Sequence, residues 1–159
     1  MGAMVSLMPS LRSLKASPAS SCNRRPGWRL VPESLVVALA ESHPLANRES
    51  LALKDLLDEV FVLPGVEVAE TLYRAILAEC AENGFEPRRI QDVSTAQTAL
   101  GLVSAGFGTS ILPTSVRYIM RQGVTLRPIR NSRLQARLTL MWPSRHPSPI
   151  VSKLQECLG

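Results

Sequence analysis

Aromatic side chains are scarce, at 4% of the 159 residues. A surface that stacks successive bases of a single strand needs more of them, so that mode of nucleic-acid binding is not expected. No apolar run approaches the roughly 20 residues of a membrane-crossing helix. Cysteine is limited to Cys22, Cys80 and Cys157, an odd number at wide spacing, with no Cys-x-x-Cys pair and no His/Cys cluster. No metal site is indicated, and a reducing, cytoplasmic location fits best. The two histidines, His43 and His146, each precede a proline in an expected turn. Neither has a partner at motif spacing, so a surface or turn role is expected. There is no Gly-x-Ser-x-Gly elbow and no His-Glu-x-x-His, hence no positive sign of an enzyme and no call for a cofactor.

Acidic residues are missing from the first thirty positions, which hold Arg12, Lys15, Arg24, Arg25 and Arg29. These five bases account for the whole formal charge of +5. The remainder balances, but unevenly. Residues 31–116 carry five bases and twelve acids, whereas residues 117–159 carry eight bases and one acid. Two readings fit: complementary parts of one surface, or a basic edge that steers an anionic ligand. Residues 1–29 are Ser-, Arg- and Pro-rich without a sustained period. They read as a disordered or aberrant N-terminal extension rather than a signal peptide, because Pro9 interrupts the short apolar stretch Met4–Met8, or a transit-type peptide, which fits the Arg/Ser bias but lacks an amphipathic helix of useful length.

From Leu30 onward the pattern is that of one α/β domain spanning residues 30–159. The unbroken apolar run Leu35-Val36-Val37-Ala38-Leu39 predicts a strand buried on both faces. Val60–Leu63 predicts a second strand, stopped by Pro64-Gly65. A helix is expected over Ala69–Asn83, with Leu72, Ile76, Leu77 and Cys80 on one face. Gly84 supplies its left-handed cap and Phe85 the capping contact. Arg88–Val93 is a strand, and Ser94-Thr95-Ala96-Gln97 reads as a capping box opening a helix that ends at Gly106. Thr109–Leu112 is the next strand. A short helix at Ser115–Met120, strands at Val124–Ile129 and Leu134–Trp142, and a final helix with Ile150, Val151, Leu154 and Leu158 inward complete the set. Strands alternating with helices predict a mainly parallel sheet covered on both faces.

Gly106-Phe107-Gly108 is not a phosphate loop, since it follows a helix and precedes a strand. The better ligand candidate is the helix start at Ser94. Unpaired amides and a partial positive charge at a helix N-terminus favour carboxylates, and open α/β sheets place ligands at strand ends. Ser94 also has the plainer role of capping its own helix.

Several ordered passages resemble the regulatory domain of LysR-type transcriptional regulators. They are Leu35–Ala46 with its Ser-His-Pro-Leu-Ala end, Asp55-Leu56 followed by Phe61-Val62-Leu63, and Cys80–Pro87. Leu100–Gly106, Ile111-Leu112-Pro113, Leu138–Trp142 and Ser148–Leu158 complete the series. The resemblance covers residues 30–159 and leans toward regulators of aromatic-compound catabolism. It implies a type II periplasmic-binding-protein-like α/β fold, here one complete lobe plus the returning strand and helix of the other. It also implies a truncated regulator: an effector-sensing module without the winged helix-turn-helix, touching DNA only through a domain absent from these residues. The intact family would form a homo-oligomer, with no membrane contact. By the same resemblance a small organic anion, such as an aromatic or dicarboxylic acid, would bind weakly at Pro64, Gly65 and Val66, with Ser94 and Thr95 opposite. Val66 and Val93 would serve as apolar walls. The alternative is a binding or transport domain of the same fold, as in periplasmic solute receptors.

Overall fold

The computed structural model describes residues 17–18, 27–29, 32–137, 139–141, 149–150 and 153. In chain order the elements are β1 (Ser17–Pro18), β2 (Gly27–Arg29), β3 (Glu33–Ala40), β4 (Val60–Pro64), α1 (Val66–Glu82), β5 (Arg89–Val93), α2 (Ala96–Ser104), β6 (Ser110–Pro113), β7 (Val124–Pro128), β8 (Gln135–Ala136) and β9 (Thr139–Met141). Short 3-10 turns occupy Pro44–Asn47, Leu53–Leu56 and Thr114–Ile119. Two compact units result: Glu33–Ala136, and Met1–Pro32 with Arg137–Gly159. In the second, β1, β2 and β9 form an antiparallel sheet in that order. Of the expected extension 1–29, only residues 17–18 and 27–29 are described. The final helix lies outside the described residues except at 149–150 and 153, where Ile150, expected inward, is exposed.

Within Glu33–Ala136, β4 and β5 run parallel. β6 lies on the other side of β4, joined by a parallel bridge between Phe61 and Thr109. There Val62 N–H donates to Thr109 O at 2.7 Å and Thr109 N–H to Val60 O at 2.8 Å. β3 pairs antiparallel with β6, β7 and, at its start, β8. The spatial order is therefore β5-β4-β6-β3-β7. The sheet is mixed, not mainly parallel as the alternation of elements suggests. The reason is that β3 runs opposite to β4, β5 and β6. An apolar run buried on both faces satisfies a central antiparallel strand as well as a parallel one.

Side chains alternate along these strands. Val37, Leu39, Phe61, Leu63 and Ile111 meet Ile76 and Cys80 of α1 on one face. Val36, Ala38, Val62 and Leu112 meet Ala99, Leu100 and Val103 of α2 on the other. β3 is thus buried on both sides, as expected from its sequence. Burial of Cys80, with Glu79 beside it, pushes its thiol from the usual 9.0 up to about 12. The neutral thiol is the form the fold tolerates. Its contribution to stability is complete below about pH 9 and is lost as pH rises through 12. Cys80→Ala should therefore show a shallower loss of stability over that alkaline range than the parent. Identical pH profiles in urea titrations would refute this.

α1 ends as the Gly-Phe pair at 84–85 suggests. Gly84 (φ +83°) gives its N–H to Ala81 O, and Phe85 N–H reaches Cys80 O while its ring enters the core. α2 repeats the arrangement with Gly106 (φ +78°) and Phe107, whose N–H reaches Leu102 O, but the Phe107 ring is exposed. Gly108 follows at φ +152°, where a β-carbon would stand 2.3 Å from Val60 O.

Candidate functional site

The parallel pair β4–β5 ends in register, with Pro64 opposite Val93. Beyond it Gly65 N–H donates to Val93 O at 3.0 Å. This bond holds the two strand ends together while the chain turns into α1 on one side and α2 on the other. Pro64, Gly65, Val66, Val93, Ser94 and Thr95 are thereby gathered at one end of the sheet. Their roles differ. Gly65 is the N-cap of α1, with no side chain to occupy the helix amides. Its carbonyl accepts Val68 N–H at 2.9 Å and Ala69 N–H at 3.0 Å. The amides of Val66 and Glu67 have no acceptor within the helix. Val66 is the apolar side chain of the six that faces solvent, whereas Val93 turns into the core beneath α2.

The cap of α2 is Thr95, not Ser94. Thr95 Oγ1 accepts Thr98 N–H at 3.1 Å, and the two threonine hydroxyls lie 2.9 Å apart. The expected Ser94–Gln97 capping box does not form, because Val93 is still held in the β4–β5 ladder. Ser94 is spent as the bend between strand and helix, and Thr95 takes the extended conformation of a cap. Thr95 O accepts Ala99 N–H at 3.1 Å, which leaves the amides of Ala96 and Gln97 without a helical acceptor. Ser94 and Thr95 are both exposed.

Two carboxylates beside this cluster were not evident from the sequence. Glu67 sits in the first turn of α1. Asp92 shares the α1 side of the sheet with Ile90 and Leu63, its register partner. A β-carbon on Gly65 would stand 3.3 Å from Asp92 Cβ and 3.7 Å from Oδ2. Burial, and then the Asp92 carboxylate, push the Tyr73 phenol upward. Period-two alternation from Val93 was the signal that places Asp92 on this face. α1 also breaks at Ala69 (φ −143°, ψ 51°), which separates its first turn from the rest. The first turn of α2 has no acid.

Elsewhere polar contacts are structural. His43 caps the Pro44–Asn47 turn, its Nδ1 accepting Leu45 N–H at 3.2 Å. Its Nε2 lies 3.2 Å from Glu59 Oε2, a partner too distant in sequence for motif spacing to reveal. Asp55 joins Arg48 (2.9 Å) and Arg130 (3.8 Å). The Arg130 contact links one base of residues 117–159 to the acidic middle of the chain. Among the described residues no group of His, Cys, Asp and Glu could hold a metal. No helix among them is long and apolar enough to cross a membrane.

A mixed sheet carries a helix on each face here, and both helices start at neighbouring strand ends, the place where open α/β sheets put their ligands. The chain belongs to the LysR family: the model of the LysR substrate binding domain matches residues 26–159. It is 32% identical over 116 residues to the HTH-type transcriptional regulator AlsR of Bacillus subtilis, covering 73% of this chain and 38% of AlsR. It is 31% identical to BudR of Raoultella terrigena, covering 80% and 44%. The chain thus spans about two fifths of the length of these curated relatives, and the matched part is an effector-binding domain, not a catalytic one. The fold is similar to the BenM effector-binding domain with its effector benzoate (TM-score 0.69, 25% identity, 96% of this chain and 64% of that one). It is also similar to the QuiR effector-binding domain with shikimate (TM-score 0.62, 25% identity, 80% and 60%).

Proposed function

We propose that residues 30–159 sense a small organic anion at the ends of β4 and β5, as the effector-binding part of a cytoplasmic LysR-type transcriptional regulator. In the whole regulator, DNA contact would come from another domain, and the assembly would be a homo-oligomer. The observation that carries the site is the Gly65 N–H bond to Val93 O. It holds together the strand ends from which α1 and α2 start, and helix N-termini favour a carboxylate, which supports this reading. The α2 end offers the amides of Ala96 and Gln97 with the hydroxyl of Ser94, and Val66 gives an apolar flank. Benzoate and shikimate, held by two domains of similar fold, are of this ligand class.

Titration with benzoate, followed by amide NMR shifts, tests the reading. Shifts should concentrate at residues 64–67 and 94–97, and benzoate should be recovered unchanged. Shifts confined to a distant region would move the site, and consumption of benzoate would make the protein an enzyme.

A further inference from the structure

The two helix starts at the proposed site are electrically unequal, and the inequality bears on which anions the site accepts. On the α1 side stand Asp92, packed against Gly65, and Glu67 in the first turn. Tyr73 is close enough to Asp92 to feel its charge, and Glu70 and Arg74 further along α1 pair with each other at 2.9 Å. Among the described residues no base forms an ion pair with Asp92. On the α2 side the contrast is complete, since no charged residue occurs from Val93 to Val116 and no carboxylate before Glu156. One side of the site can accept a negative charge, and the other already carries one.

We infer that Asp92 sets the charge preference of the site, favouring organic monoanions over dianions of similar shape. This rests on the proposed effector site and chooses, between aromatic and dicarboxylic acids, the aromatic monoacid. The monoanion's carboxylate lies at the α2 start, and its uncharged end is directed toward Asp92 and Val66. A second carboxylate at that end meets a like charge, which is discrimination by repulsion rather than by added attraction. Asp92 is solvent-exposed, so screening by water keeps the effect modest, about threefold in affinity per ligand charge. Near 1 M salt, where the screening length falls to about 3 Å, it should vanish.

The test compares benzoate with terephthalate, which adds one carboxylate to the same ring. Dissociation constants are measured by NMR titration at low ionic strength for the parent, Asp92→Asn and Asp92→Glu. The benzoate-over-terephthalate preference should fall about threefold in Asp92→Asn and persist in Asp92→Glu, which keeps the charge. Using the change in ratio cancels terephthalate's two equivalent ends. Binding of both probes with a ratio unmoved by Asp92→Asn overturns the inference and leaves the site reading standing. Equal loss of preference in Asp92→Glu overturns it too, because shape rather than charge would then be responsible. Failure of both probes to bind overturns the site reading and this inference together.

Discussion

Replacing Gly108 with alanine is expected to destabilise the protein by about 3 kcal/mol or more. Two costs coincide at this position. The backbone angle of +152° is one that a side chain rarely adopts, and the new β-carbon would stand 2.3 Å from the carbonyl oxygen of Val60. That oxygen is not a flexible tip that can swing aside. It is the acceptor of Thr109 N–H, one of two backbone bonds between β4 and the residue that leads into β6. The substitution therefore forces apart the seam between the β4–β5 pair and the β6–β3–β7 sheet. The urea midpoint should fall steeply. Hydrogen exchange at the amides of Val62 and Thr109 should accelerate more than at Phe85, whose bond lies at the end of α1. A variant with unchanged midpoint would show that the seam tolerates the added carbon.

Phe61→Ala should cost a similar amount, about 3–5 kcal/mol. Phe61 is 1% exposed and lies in the core between β3, β4 and α1. Its deletion leaves a cavity that neighbours can fill only in part. One neighbour, the Thr109 hydroxyl, is buried and finds no hydrogen-bond partner among the described residues. A water entering the new space could satisfy it, which would place the loss toward the lower end of the range. Calorimetry or urea unfolding measures the cost, and a loss below about 1 kcal/mol would mean that the core closes over the gap.

Features set by neighbouring residues were legible in the sequence. Leu35–Leu39 announced a strand covered on both faces, because five apolar residues in a row leave no side for water. Gly84-Phe85 announced the end of α1, because a left-handed glycine followed by a buried aromatic closes a helix by local bonds alone. The ends of β4 and β5 were each legible from their own stop signals, whereas their meeting was implied only by the family resemblance. What stayed hidden depends on partners remote in the chain. The direction of β3 relative to β6 and β7 leaves no mark on an all-apolar strand. The choice of Thr95 over Ser94 as cap depends on the Pro64–Val93 pairing, which keeps the strand going one residue longer. Gly65 as the cap of α1 was masked because α1 starts three residues before the clear periodicity at Ala69, across a break in its own backbone. Asp92 gains its significance from Gly65, a neighbour across the sheet and not along the chain.

The antiparallel setting of β3 also has a consequence for how the protein is made. Val36 has Leu112 on one side and Pro128 on the other, so both neighbours of the most buried strand are translated long after it. During synthesis the Leu-Val-Val-Ala-Leu-Ala segment emerges from the ribosome with two sticky faces and two open edges. Nothing can pair with it until most of the unit has followed. Pairing at such long separation is slow, and waiting apolar strands are prone to aggregation. This protein should therefore depend on chaperones that hold nascent chains, and its yield should respond to growth temperature more sharply than the stability of the finished fold would suggest.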